Sequence, residues 1–113
     1  MDDLSPQTDL AEHQQRLATW AKALGHPARI RIVAFLLGQD GCMCGDIVEH
    51  IDLAQSTVSQ HLKILKEAGV IQGTISGVRV CYCVDDTVLQ ALVDGLADLL
   101  GPGRQGPCPP ESR

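Results

Sequence analysis

Between Gln55 and Val84 the apolar residues change from a helical period to a two-residue one, and Gly69 marks the change. Val58, Leu62 and Leu65 recur at i, i+4 and i+7, which predicts a helix over residues 55–68. Gly69 suits the left-handed conformation that closes a helix. The following runs, 70–75 and 78–84, are rich in β-branched residues, and Ser76-Gly77 between them signals a hairpin turn. A shorter apolar stretch, 45–51, predicts a short helix that reaches the long one through Asp52-Leu53-Ala54. Two helices joined so tightly, with a hairpin directly behind them, restrict the chain to a helix-turn-helix carrying a β wing.

The flanking segments extend this order. Leu10, Leu17, Ala21 and Leu24 predict a helix over 10–24, and Gly25-His26-Pro27 ends it and opens the next. That second helix should bury the stripe Ile30, Val33, Ala34 and Leu37 and run up to Gly38. Gln39-Asp40-Gly41 reads as a turn, and Cys42-Met43-Cys44 as a strand of two or three residues. Asp85-Asp86-Thr87 should cap a last helix, 87–100, which is apolar on more than one stripe. The expected fold class is mainly α with a small β-hairpin, a winged helix-turn-helix.

A chain of 113 residues allows one domain and one modest core. With Trp20, Phe35 and Tyr82 as the only aromatics, that core must rest on Leu, Ile, Val and Ala. Residues 1–9 are expected to be a flexible N-terminus and 10–100 the DNA-binding and dimerisation domain. The Gly- and Pro-rich stretch 101–113 is expected to be a disordered tail. No apolar run approaches the ~20 residues that cross a bilayer. The acidic start lacks the features of a signal peptide, so no membrane partner and a cytoplasmic location are expected.

The formal charge of −5, taken as a total, argues against a nucleic-acid partner, but its distribution does not. The acidic excess lies at the two ends, where Arg16 and Lys22 face Asp2, Asp3, Asp9 and Glu12, and Arg104 and Arg113 face Asp85, Asp86, Asp94, Asp98 and Glu111. Residues 26–84 are balanced, and Lys63, Lys66 and Arg79 fall where phosphate contacts are needed. Once Val58, Leu62 and Leu65 are buried, the long helix presents Gln55, Ser56, Thr57, Ser59, Gln60 and Lys63, with His61 at the boundary. No acidic residue interrupts this face from Gln55 to Lys66. Gln can pair bidentately with adenine, and Ser and Thr can bond base edges or phosphate. These residues and Arg79, beside the wing tip, form the expected surface for double-stranded DNA.

Four of the five cysteines form two Cys-x-Cys pairs, Cys42/Cys44 and Cys81/Cys83, and Cys108 stands alone. In a reducing cytosol such thiols serve metal binding or redox chemistry rather than a disulfide framework. If the strand 42–44 pairs with the second wing strand, both pairs come together, since residues two apart share a face and neighbouring strands lie ~4.8 Å apart. Thiolates select soft ions such as Zn(II) and Cu(I), and As(III) and Sb(III) fit the same logic. The expected metal-ligating set is therefore Cys42, Cys44, Cys81 and Cys83. His13, His26, His50 and His61 have no metal-ligand spacing and are read as structural or surface residues.

The run Ala23-Leu24-Gly25-His26-Pro27-Ala28-Arg29-Ile30-Arg31-Ile32 resembles the "ALxxPxRLxIL" opening of the ArsR/SmtB family of metal-responsive repressors. Gln55 to Gly69 is similar to that family's recognition helix, and the likeness spans roughly residues 10–100. It implies a homodimer joined through helices 10–24 and 87–100, bound to a palindromic operator and released by an inducer. Cys42-Met43-Cys44 matches the "CVC" pair of the arsenic-responsive members, although Ile47 stands where their motif often continues to a third cysteine. The resemblance thus implies As(III)/Sb(III) as inducer, with Cys81 or Cys83 completing the ligand set. The family's other site, on the last helix, uses His, and helix 87–100 has none.

Two other roles for the thiols stay open at this point: a redox or reactive-sulfur switch, and a structural Zn(II) site. Outside DNA binding, a small thiol oxidoreductase or a metal-trafficking protein would need the cysteines but not the Gln55–Lys66 face. No Gly-rich phosphate loop and no Cys-x-x-Cys helix start is present, so an enzyme is not expected.

Overall fold

Ile32, Leu65 and Val70 have no exposed surface, and around them helices and wing converge on one core. The structure, a computed structural model, describes residues 6–39, 42–44 and 47–101. Its elements are α1 (Pro6–Leu24), α2 (Pro27–Leu37), β1 (Met43–Cys44), a single 3₁₀ turn (Ile47–Glu49), α3 (Gln55–Glu67), β2 (Ile71–Ser76), β3 (Arg79–Val84) and α4 (Asp86–Leu100). The strands form one antiparallel sheet in the order β1-β3-β2. This is the expected winged helix-turn-helix.

Local chemistry explains most boundaries. His26, in extended conformation, caps α2 by accepting from the Ala28 N–H at 3.0 Å, and Pro27 supplies the preset φ of a first helical residue. Gly69, at φ +86°, ends the α3 segment where a side chain would be strained. Asp85 caps α4, its Oδ1 accepting from the N–H groups of Thr87 and Val88 at 3.1 and 3.2 Å. The hairpin turns at Gly77, φ +67°, with Ser76 paired to Arg79.

Four features differ from the sequence reading. α1 begins at Pro6, so residues 6–9 are helical rather than part of a loose end; Pro6 takes the first helical position, where its missing N–H costs nothing. Of the expected helix 45–51, residues 45 and 46 lie outside the described residues and Ile47–Glu49 form the 3₁₀ turn, in which the Ile47 carbonyl accepts from both His50 and Ile51 N–H. A segment this short gains too few i→i+4 bonds to offset nucleation, and it is held by burial of Ile47 and Ile51, each 3% exposed.

α2 buries Ala28, Ile32, Val33 and Leu36, whereas Ile30 and Leu37 of the expected stripe are half exposed and Ala34 is exposed. The helix is apolar on most sides, so periodicity could not choose its inner face. α1 buries Leu17 and Ala23, while Leu10 and Ala21 face outward.

α4 buries only Leu92 and Gly95, leaving Val93, Leu96, Leu99 and Leu100 between 47% and 65% exposed. At Gly95 the two outer helices approach closely: a Cβ there would stand 2.8 Å from Leu17 Cδ1. The apolar face that remains on α4 is more than this core can absorb.

Truncating the central side chain tests the packing. Leu65→Ala should lower unfolding free energy by about 2–5 kcal/mol, read as a reduced urea midpoint at unchanged m-value. A loss below about 1 kcal/mol would mean that α3 is not anchored there.

Candidate nucleic-acid interface and cysteine cluster

α3 presents a polar face because its three apolar anchors lie on one side: Val58, Leu62 and Leu65 are buried. Gln55, Ser56, Ser59, Gln60, Lys63 and Lys66 are exposed, and Thr57 and His61 are half-buried. The helix starts at Ala54 without any side-chain cap, so Ser56 does not serve as one, and the first-turn N–H groups lie on an exposed end. Arg79 lies exposed at the base of the wing tip, across the Gly77-Val78 turn from β2. A groove of about 510 Å³ separates α3 from the wing, lined on one side by Gln55 and Ser59 and on the other by Val78, Arg79 and Val80. Seven of the expected DNA-reading residues, Gln55, Ser56, Thr57, Ser59, Gln60, His61 and Lys63, thus share one helix, and Arg79 stands across the groove from them.

His61 is engaged in a way that spacing did not suggest. Arg29 Nη1 of α2 donates to its Nδ1 at 3.2 Å, and its ring centroid lies 4.5 Å from that of His26. Burial first, then His26 and Arg29, hold its pKa below the ordinary 6.5. Arg29 and His26 were not among the candidate site residues, because they sit more than thirty positions from His61 and no period connects them.

The cysteine pairs lie on paired strands. Antiparallel pairing of β1 with β3 places Met43 opposite Tyr82 and Cys44 opposite Cys81. One step outward, Cys42 and Cys83 are joined as a disulfide, with Cα atoms 4.5 Å apart. Cys81, 5% exposed, is likewise held in a disulfide. Met43 and Tyr82, between the two cysteine positions, pack against the core cluster and fix the register. A recess of about 280 Å³ opens beside Cys42 and Cys83, lined also by Leu36, Leu37 and Gln39 of the α2 end and by Asp86 at the start of α4.

Among the described residues, no group of three or more His, Cys, Asp or Glu side chains is arranged to hold a metal ion. Bonded to each other, the Cys42 and Cys83 sulfurs offer no thiolate in this state, unlike the reduced thiols expected from the sequence, and Cys44 is placed by its backbone pairing alone. Cys108 lies outside the described residues. No described helix is long and apolar enough to cross a membrane.

The profile described as "Bacterial regulatory protein, arsR family" matches residues 26–72, which run from the α2 cap into β2. The transcriptional repressor SdpR of Bacillus subtilis is 35% identical over 82 residues, covering 73% of this chain and 90% of that protein. The NMR structure of the cadmium metal-sensor CmtR from Mycobacterium tuberculosis superposes with a TM-score of 0.55 at 34% identity, covering 84% of this chain and 98% of that one. The crystal structure of an ArsR-family transcriptional regulator reaches a TM-score of 0.68 at 20% identity over 81% of this chain and 96% of that one, a likeness of fold. Sequence relatives and fold agree on a DNA-binding transcriptional repressor, and the chain belongs to the ArsR/SmtB family of regulators.

Proposed function

We propose that this repressor reads a palindromic operator as a homodimer and leaves it when a thiophilic inducer, foremost As(III) or Sb(III), is captured by Cys42, Cys44, Cys81 and Cys83. The observation that carries the sensing role is the β1–β3 register, which sets one Cys-x-Cys pair against the other. In the reduced protein these positions would offer soft thiolate donors of the kind that bind such ions. Ile47, buried in the 3₁₀ turn, offers no sulfur, so a third donor would come from β3 rather than from the turn. The recess beside Cys42 and Cys83 gives a small inducer access, and it touches both the end of α2 and the start of α4. A change there would reach the helix-turn-helix and α4 together, coupling inducer to operator reciprocally.

The homodimer reading is supported by the apolar surface left on α4, which a second copy would cover through α4 and α1. A two-fold axis would then set two α3 helices ~34 Å apart, one turn of DNA. In each, Gln55, Ser56, Thr57, Ser59 and Gln60 would face bases or phosphates, with Lys63 and Arg79 on the backbone and His61 at the edge of that face. The uncapped start of α3 would add N–H donors for a phosphate.

A second reading is favoured by the Cys42–Cys83 bond itself. Two thiols would give two electrons and two protons to a hydroperoxide, yielding the disulfide, an alcohol and water, and operator release would follow oxidation instead of metalloid capture.

One experiment tests the DNA-reading geometry and a second separates the two sensing readings. In fluorescence anisotropy with its own upstream duplex, Lys63→Ala should lower the slope of log K against log[salt] by about one unit, with loss spread evenly over sequences. Gln60→Ala should instead cost about 1–3 kcal/mol on the operator and little on unrelated DNA. Sedimentation in the same buffer should give twice the 12.1 kDa chain mass. Unchanged slopes and a monomer would contradict the DNA-reading geometry.

The second experiment adds arsenite, antimonite, zinc or a hydroperoxide to the reduced protein on its operator. Metalloid-specific release that disappears in Cys42→Ser and Cys83→Ser is the expected result. Release by hydroperoxide alone would move the thiols to redox sensing, and full release by arsenite in both variants would rule the cluster out.

A further inference from the structure

One guanidinium ties three helices together. Arg29 of α2 donates from Nε to the Ala23 carbonyl and from Nη2 to the Lys22 carbonyl at 3.5 Å. Both carbonyls belong to the last turn of α1, where the helix has acceptors without intrahelical partners and favours a positive charge. Its remaining arm, Nη1, donates to His61 Nδ1 on α3 at 3.2 Å. The planar fork of Arg can hold such divergent acceptors at once; the single ammonium of Lys cannot. Ala23, 3% exposed, fixes the α1 end of this brace within the core cluster.

The two histidines complete the joint. His26 uses its own Nδ1 to accept the Ala28 N–H and cap α2, so its ring is held in place by the helix it starts. The His61 ring then lies tilted at 49° against that fixed ring. His61 sits in the middle of α3, flanked by Gln60 and Lys63 on the exposed face. A rotation of α3 about its axis would therefore break the Arg29 bond and separate the two rings.

We propose that Arg29, acting through His61, is a positioning residue for operator reading: it sets the rotation of α3 against α1. The inference rests on the DNA-reading role of α3 given above. α1 packs on α4 through Leu17 and Gly95, so the brace refers the recognition helix to the same helix pair that would carry the dimer axis. In that arrangement Arg29 itself touches no phosphate, and neither His61 nor Arg29 needs to contact a base.

The brace requires His61 to accept at Nδ1, and therefore to be neutral. The groups that act on its charge are His26 and Arg29, both from α2, while α1 offers only backbone carbonyls to the same guanidinium. Both neighbours and burial lower the His61 value in the folded chain. The unfolded chain then binds more protons as pH falls below 6.5. The brace's contribution is complete above that pH and is lost as pH falls through the folded value.

Anisotropy on the operator with four single variants and one double variant tests this. Arg29→Gln and His61→Phe should each weaken binding on the order of tenfold, with the salt slope unchanged because no phosphate contact is removed. The double variant should be no worse than Arg29→Gln alone, because the Arg29–His61 bond that His61→Phe removes is already lost there. His61→Asn, whose Oδ1 can stand near the position of Nδ1, should recover most of that loss and flatten the fall in melting temperature below pH 6.5. Arg29→Lys, which keeps the cation at the α1 end, should bind like Arg29→Gln and serves if the latter does not fold.

A salt slope lower by about one unit in the Arg29 or His61 variants would make them phosphate contacts and overturn the proposal. Additive losses, or affinities equal to that of the unaltered protein, would overturn it as well. Failure of the unaltered protein to bind its operator at all would instead contradict the DNA-reading role on which the proposal depends.

Discussion

A two-residue strand holds the functional half of this molecule in register. β1 contributes only Met43 and Cys44, yet its pairing with β3 joins the start of the helix-turn-helix to the far strand of the wing. A strand so short is stable only because its neighbours are anchored: Met43 and Tyr82 pack on the core cluster, while Ile71 behind them is 1% exposed. A slip of one residue would turn Tyr82 away from the core and separate the cysteine pairs in the same move. The hydrophobic core thus sets the thiol geometry, and the thiols in turn lie on the seam between reading head and wing.

The same economy applies to the helices. α3 is buried along one narrow side and, Ile64 apart, otherwise polar, so its orientation depends on few contacts. The Arg29–His61 brace and the anchors Val58, Leu62 and Leu65 act on it from different sides. The cysteine seam reaches the end of α2 through Leu36 and Leu37, and α2 carries Arg29 at its other end. Under the proposed sensing role, a disturbance at the sulfurs would have the eleven-residue α2 leading to the brace. Such a route from the proposed sensing site to the reading helix would not require the cysteines to approach DNA.

What could be read from the sequence follows the strength of each physical signal. α3 was legible because Val58, Leu62 and Leu65 are the only apolar choices on their face, and Gly69 ends the segment with a positive φ. The hairpin was legible from β-branched runs around Ser76-Gly77. The meeting of the cysteine pairs followed from strand pairing, since two Cys-x-Cys runs on antiparallel neighbours in this order can align. The inner face of α2 was not legible, because Ile30 and Leu37 are as apolar as the buried Ile32 and Leu36. Within the helix expected over 45–51, residues 47–49 form a 3₁₀ turn because so short a segment carries too little local preference to resist docking of Ile47 and Ile51. The His26–Arg29–His61 joint left no trace in composition or period, as it depends on the crossing of α2 and α3.

The central claim is that Cys42, Cys44, Cys81 and Cys83 act as one sensing cluster, and protection mapping tests it most directly. The reduced protein would be alkylated with an isotope-coded reagent in the presence and absence of arsenite, then digested and quantified by mass spectrometry. The account predicts joint protection of at least three of those four cysteines, including Cys42 and Cys83, while Cys108 labels equally in both samples. Equal labelling of Cys42 and Cys83 with and without arsenite, or protection confined to Cys108, would contradict it.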